Sequence, residues 1–434
     1  MSYLDWTILF GTLLVIAGYG IYKTYGPKDM DKYIRGGNDM NWLTIGLSIM
    51  ATQASAITFL STPGQAYSDG MRFIQFYFGL PVAMIFICVF FLPIYYKLKV
   101  YTAYEFLEQR FDLKTRTLTA GLFLIQRGLA AGITIYAPAI ILSTLLGWNL
   151  TFTNIFIGVI VVIYTVSGGT KAVSVTQKQQ MTVMMGGMIL AGIIVVQMIP
   201  VSFTEALHVA GKMDKLNIVN FEFDLSDRYN FWSGFTGALF LFLSYFGTDQ
   251  SQVQRYLSGK TLTESRMGLM MNGFLKVPMQ FIIIFIGVMV FVFYQFYQPP
   301  VFFNTIQLDK LKASEYLHDF NDLEQTYTNI FESKGESING LLGAIENEDQ
   351  EAIDQYKSAI SDHTKAQEDV RDQVKELIVK NDPLAETRDT DYVFMRFVMD
   401  YLPQGVIGLL FAVIFSAAMS STASELNALS STTT

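Results

Sequence analysis

Two short stretches of this 434-residue chain place hard oxygen atoms inside apolar segments. The run Ser416-Ala417-Ala418-Met419-Ser420-Ser421-Thr422-Ala423-Ser424 carries consecutive hydroxyls, and Ala51-Thr52-Gln53-Ala54-Ser55, followed by Thr58, crowds small and polar residues into another. Hydroxyls on a membrane helix can bond the carbonyl one turn back. Facing an unwound helix, they can instead join its freed carbonyls as ligands for a hard cation that needs neither thiolate nor imidazole. The small residues have a second reading of their own, close helix packing. Arg127 is the third candidate, flanked by Leu124, Ile125, Leu129 and Ala130. A charge inside a membrane helix costs at least ~2.5 kcal/mol and needs a partner. Asp249 and Glu425 fall near the cytoplasmic ends of their segments, so a substrate carboxylate is the expected partner, held bidentately. Snorkelling, or bonds to carbonyls, is the competing reading. Lys276, near the start of its segment, reads as a snorkelling residue. His208, His318 and His363 lack ligand spacing, and Gly168-Gly169 lacks the lysine-serine pair of a phosphate loop. Neither a catalytic centre nor an organic cofactor is expected.

The elements that position these residues are membrane spans. The chain is 51% hydrophobic and 16% charged, and it contains a single cysteine. That composition excludes disordered, collagenous and disulfide-stapled classes. A span needs about 20 mostly apolar residues, because its backbone polar groups must be satisfied within the helix. Such runs occur at Leu4–Tyr22, Trp42–Thr62, Phe73–Tyr96, Leu118–Leu146, Leu150–Ser167, Met181–Pro200, Phe231–Asp249, Gly268–Tyr297 and Val393–Ser424. Basic residues mark alternate loops: Lys23, Lys28, Lys32 and Arg35; Lys97, Lys99, Arg110, Lys114 and Arg116; Lys171 and Lys178; Arg255, Lys260 and Arg266. The positive-inside rule makes those loops cytoplasmic and the N-terminus external. The protein is then an integral protein of a plasma or bacterial inner membrane.

One polar block, 301–391, interrupts the spans on the external side. Apolar residues recur there at helical spacing, as in Ile338, Leu341, Leu342 and Ile345, so two or three amphipathic helices packed as a hairpin are expected. Residues 301–390 hold 9 Lys+Arg against 20 Asp+Glu, a balance of −11, and the rest of the chain carries +3. The net charge of −8 is therefore a property of this block. A solvated insertion and a docking arm for a periplasmic partner both fit it. An acidic chain without a basic face is not expected to bind nucleic acid.

Three motifs, taken together, resemble the sodium:solute symporter family. They are Gly168-Gly169-Thr170-Lys171-Ala172-Val173, the Asp249-Gln250 to Gln254-Arg255-Tyr256 stretch, and Ala417 to Ser421. Ile135-Tyr136-Ala137-Pro138-Ala139 is similar to the branch of iodide, multivitamin and monocarboxylate carriers, with bacterial sialic acid and sugar symporters more distant. The resemblance implies an all-α membrane fold of two inverted five-helix repeats, the first helix of each broken, behind one extra N-terminal helix. On that frame 1–40 is the extra helix and its loop, 41–200 the first repeat, 201–300 an external loop and the start of the second repeat, 301–391 the insertion, and 392–434 the third helix of the second repeat. The second repeat is then incomplete, and this segment alone is not expected to transport.

The resemblance also implies roles. Sodium would be held by Ala51, Ala54, Ala417, Ser420 and Ser421. A second sodium site is not expected, because Gln177 stands where members with one have an aspartate, although Ser424 keeps a hydroxyl nearby. Gln53 and Tyr245 occupy the inner-gate positions, and Thr58 and Arg127 join the substrate set. Tyr77 and Phe242 replace the sugar-binding acid and asparagine, which argues against a sugar. The reading is a sodium-coupled symporter that imports a small carboxylate, sialic acid, monocarboxylate or pantothenate-like, by alternating access across the bilayer. One sodium moving through 100 mV supplies ~2.3 kcal/mol. With a tenfold gradient it sustains roughly 500-fold accumulation of a neutral solute, but only about tenfold of a monoanion. Alternatives are a neutral-solute symporter, a sensor fused to a signalling module beyond residue 434, and a passive channel.

Overall fold

The computed structural model describes residues 1–24, 33–34, 36–224, 226–227 and 229–433. Lys28, Lys32, Arg35 and Thr434, and the side chain of Ser167, lie outside the described residues. Among the described residues the fold is all-helical, and six helices are long and apolar enough to cross a membrane.

Helix α1 (Tyr3–Thr24) precedes a span that is broken at its middle. That span forms α2 (Trp42–Gln53) and α3 (Ala56–Asp69), separated at Ala54 (φ −80°, ψ 84°) and Ser55 (φ −75°, ψ 170°). The next span bends twice. Residues 70–77 form a tight 3₁₀ segment, followed by α4 (Gly79–Phe86), a π-turn at Ile87–Phe91 and α5 (Leu92–Leu98). Pro93 has no N–H to offer the carbonyl of Val89, and the wider π-turn accommodates that loss. After α6 (Glu105–Arg110), helix α7 (Leu113–Leu146) begins where the Asp112 side chain accepts from Thr115 N at 2.7 Å.

Helices α8 (Leu150–Val166) and α9 (Gly168–Met198) meet at one sharp turn, where sequence spacing predicts a longer loop. Gly169 makes the turn with φ 57° and ψ −147°, and a Cβ there would strike the Tyr33 carbonyl. Only glycine combines that backbone geometry with that approach. Helix α10 (Phe203–Lys212) lies outside the spans, and α11 (Ala238–Thr248) leads to a second break. Asp249 is extended there (φ −76°, ψ 118°) and caps α12 (Gln250–Leu257) through Ser251 N. Helix α13 (Leu262–Phe296) starts six residues before the expected Gly268, because the Thr261 side chain caps it at Glu264 N. It packs against both halves of the broken span. Its Gly287 lies so close to Pro63 that any side chain there would displace α3.

The polar block forms α14 (Thr305–Lys312), α15 (Leu317–Glu346) and α16 (Gln350–Asn381), the last two paired as a hairpin. Arg371 bonds both Asp389 oxygens, at 3.0 and 2.8 Å, and Asp389 accepts from Phe303 N at 2.8 Å, closing the base of the hairpin. Asp389 holds the Arg371 pKa above the ordinary guanidinium value despite burial.

The expected final span, Val393–Ser424, is two helices, α17 (Val393–Tyr401) and α18 (Val406–Thr433). Pro403 cannot continue a helix and forces Leu402 to an extended ψ of 149°. The new N-terminus is capped from the far end of the chain. Buried Asp5 accepts from Gly405 N at 2.6 Å and from Gly408 N at 3.1 Å. Removing such a carboxylate from a helix N-terminus costs about 1–2 kcal/mol. Asp5→Ala is therefore expected to lower the unfolding midpoint of the detergent-purified protein by that equivalent; an unchanged midpoint would show that the cap is idle.

Candidate functional site

The break in the second span frees carbonyls inside the protein, and α18 meets them. Ser420 Oγ lies 2.9 Å from Ala51 O and 3.0 Å from Ala417 O, and Ser421 Oγ donates to Thr52 O at 3.1 Å. All of these residues are buried. Uncharged oxygens from two helices thus converge around the Ser420 hydroxyl, a donor set suited to a small hard cation. Ala54, the fifth expected ligand, is the residue where the backbone leaves helical geometry; its N–H bonds Met50 O at 2.8 Å, and among the described residues no hydrogen bond ties it to α18. Thr52 takes part where sequence reasoning passed over it. Its signal was its position one turn after Ser48 and just ahead of the break.

Gln177 of α9 sits beside this cluster. Its Nε2 lies 3.0 Å from Thr52 Oγ1, 2.9 Å from Ser420 O and 2.7 Å from Ser424 Oγ, while Ser48 Oγ donates to its Oε1 at 2.5 Å. The amide's partial positive end faces three oxygens that a second cation could otherwise have used.

Arg127 is not free for a substrate. Its guanidinium is paired with Asp249 at the second helix break and with Glu425 Oε1 at 3.1 Å, and Thr134 Oγ1 also reaches that oxygen at 3.3 Å. The expectation that no acid shares its depth is therefore corrected. Asp249 caps α12 at its junction with α11, and Glu425 is inside α18, which runs on to Thr433. Arg127 joins three elements through buried charge pairs.

The remaining expected substrate residues are spread around the two breaks. Tyr77 and Phe242 pack with ring centroids 6.1 Å apart. Tyr245 accepts from Gln252 Nε2 at 2.8 Å and lies under the Arg127 guanidinium at 5.7 Å. Gln53 keeps a buried Oε1 with no hydrogen-bond partner among the described residues. Thr58 is placed in the first turn of α3, its N–H bonded to Ser55 O at 3.0 Å. Arg127, Tyr245 and Asp249 border a cleft of about 610 Å³ walled mainly by aromatic and aliphatic side chains.

Lys276, not Arg127, is a buried cation without an ion pair among the described residues. Because α13 starts early, Lys276 lies about 21 Å along it, and it is 1% exposed with no partner for Nζ. It is not snorkelling. Asn272 and Gln280, one turn to either side on the same face, are fully buried and also keep unpartnered atoms.

Two of the family-like motifs meet at one network, joined by Asn427 of α18. Thr170 Oγ1 donates to Ile34 O at 2.5 Å, Gln254 Nε2 donates to Ile34 O at 3.0 Å, and Asn427 Nδ2 reaches both Thr170 Oγ1 at 3.0 Å and Gln254 Oε1 at 2.9 Å. Among the described residues no group of His, Cys, Asp and Glu could hold a metal.

Comparison with known proteins identifies the family and the fold. The sodium:solute symporter family matches residues 33–305. The chain is 34% identical over 274 residues to the Xenopus laevis sodium-coupled monocarboxylate transporter 1, covering 62% of this chain and 43% of that protein. It is 30% identical over 328 residues to the human sodium/iodide cotransporter, covering 74% and 50%. The chain thus spans about half the length of the curated relatives it matches. Its fold matches a Na+-coupled sialic acid symporter solved in a substrate-bound outward-open state, with TM-score 0.74 and 24% identity over 99% of this chain and 74% of that one. The chain belongs to the sodium:solute symporter family.

Proposed function

We propose that the chain forms the ion-binding part of a sodium-coupled symporter that takes up a small carboxylate by alternating access. The observation that carries sodium coupling is the convergence of Ala51 O, Ala417 O and Ser420 Oγ, at 2.9 and 3.0 Å, where the second span is broken. Oxygens bared by the break can hold a dehydrated cation in one state and exchange it when the helices part. The Gln177 amide favours a single sodium.

Lys276 supports the anionic solute. A lone ammonium in a dry interior is strongly disfavoured, so a carboxylate entering beside it gains a charge-assisted bond and relieves that penalty. Asn272 and Gln280 offer further polar groups along the same face. One sodium and one monoanion move no net charge, which favours modest accumulation, about tenfold for a tenfold sodium gradient. Lactate-sized solutes fit this reading, in keeping with the likeness to the monocarboxylate carrier. The proposed orientation follows the positive-inside rule, with the N-terminus and the hairpin outside.

Sodium is expected to raise the thermal midpoint of the purified protein relative to potassium, and the Ser420→Ala/Ser421→Ala double variant to lose that increment. Sodium sensitivity that survives in the double variant would place the ion elsewhere. Radiolabelled lactate binding should contain a sodium-dependent component that Lys276→Met removes; a component that persists there, or one displaced equally by a neutral analogue, would count against the carboxylate.

A further inference from the structure

The hairpin is acidic as a whole, yet its charges are sorted. A cavity of about 660 Å³ lies between α15, α16 and the membrane domain, reaching Tyr67, Ser68 and Asp69 in the last turn of α3. The hairpin lines it with Lys334, Lys357, Lys365 and Arg371, against Glu368 as its sole carboxylate there. Four of the nine basic side chains in 301–390 therefore face inward with one of the twenty acidic ones. A random distribution of that composition would line the cavity with acid. The membrane domain adds two lysines and two aspartates to the wall.

Lys334 is the centre of the arrangement. It is 5% exposed, its Nζ donates to Gln367 Oε1 at 3.1 Å, and it has no ion pair among the described residues. Gln367, 7% exposed, keeps an Nε2 with no partner on the same amide, so two unspent donors lie side by side. Tyr294 adds a buried, unpartnered hydroxyl to the same cavity. Burial and the neighbouring Lys215 push the Lys334 ammonium down to about 8, with Glu368 offsetting only part of that. Arg371, by contrast, is already neutralised by Asp389.

We propose that this cavity is a binding site for a small carboxylate, bridged by Lys334 Nζ and Gln367 Nε2, at the junction of the hairpin and the outer half of the broken span. An ammonium and an amide N–H that lie side by side match the two oxygens of one carboxylate. Lys215 joins the site to the broken span, since its Nζ bonds Ser68 O at the end of α3. The site does not depend on which solute crosses the membrane or on sodium.

The test is equilibrium binding of radiolabelled lactate to the purified protein in choline buffer without sodium. Saturable binding is expected, unchanged by Lys276→Met and weakened at least about tenfold by Lys334→Met. Gln367→Leu, an apolar change of similar volume, should weaken it as well, and circular dichroism checks that each variant is folded. Absence of saturable sodium-free binding, binding that Lys334→Met and Gln367→Leu leave intact, or equal displacement by equimolar chloride would overturn the proposal. The sodium-dependent component reports separately on Lys276, so the two sites can fail independently.

Discussion

An interrupted helix inside a membrane protein is the constraint from which the rest of this structure follows. Between Ala54 and Ser55 the backbone stops satisfying itself, and carbonyls become free where no bulk water can reach them. Something must compensate. Helix α18 does so with two adjacent serines, which is why its hydroxyls lie in consecutive positions and why both are buried. The same need fixes α13, whose glycine lets it close on α3 and keep the broken span from separating. Gln177 completes the seal, and an uncharged amide does the work of a charge at no desolvation cost of an ion.

Charge inside the membrane domain obeys one rule with two outcomes. Arg127 is held by carboxylates from two helices and so becomes part of the scaffold, a tie across the second break. Lys276 has no such acids, and its amine remains chemically open. The distinction is one of partners rather than of residue type. On the proposed reading, the solute's cationic partner then lies on the helix that packs against both halves of the broken span and not on the one that carries Arg127.

Much of this was legible in the sequence, and the failures have physical causes. Hydroxyl and small-residue spacing located the break and its partner helix, because both depend on local composition. The hairpin was visible from its 3.6-residue periodicity. Arg127 was misjudged because its acids lie about 120 and 300 positions away in sequence, and depth estimated from span ends took Asp249 for a boundary. Lys276 was misjudged by a shift of six residues in a helix start, set by the Thr261 cap. The division of the last span at Pro403 was readable in principle, since proline signals a stop, but the apolar residues on both sides masked it. Charge sorting in the hairpin could not be read at all, because it depends on which face of α15 meets α16.

The cap that Asp5 gives α18 also bears on how the protein is assembled. Donor and acceptor are separated by 400 positions, so the first helix is synthesised and inserted long before the N-terminus that it caps exists. Until then Asp5 has only Ser2 as a local partner, whose backbone and hydroxyl bond it at 2.7 and 2.8 Å. A buried acid is therefore held in reserve until residues 405–408 have been made. The cap can form only once α18 is in place, so it ties the first helix to the helix that carries Ser420 and Ser421 after both have been made.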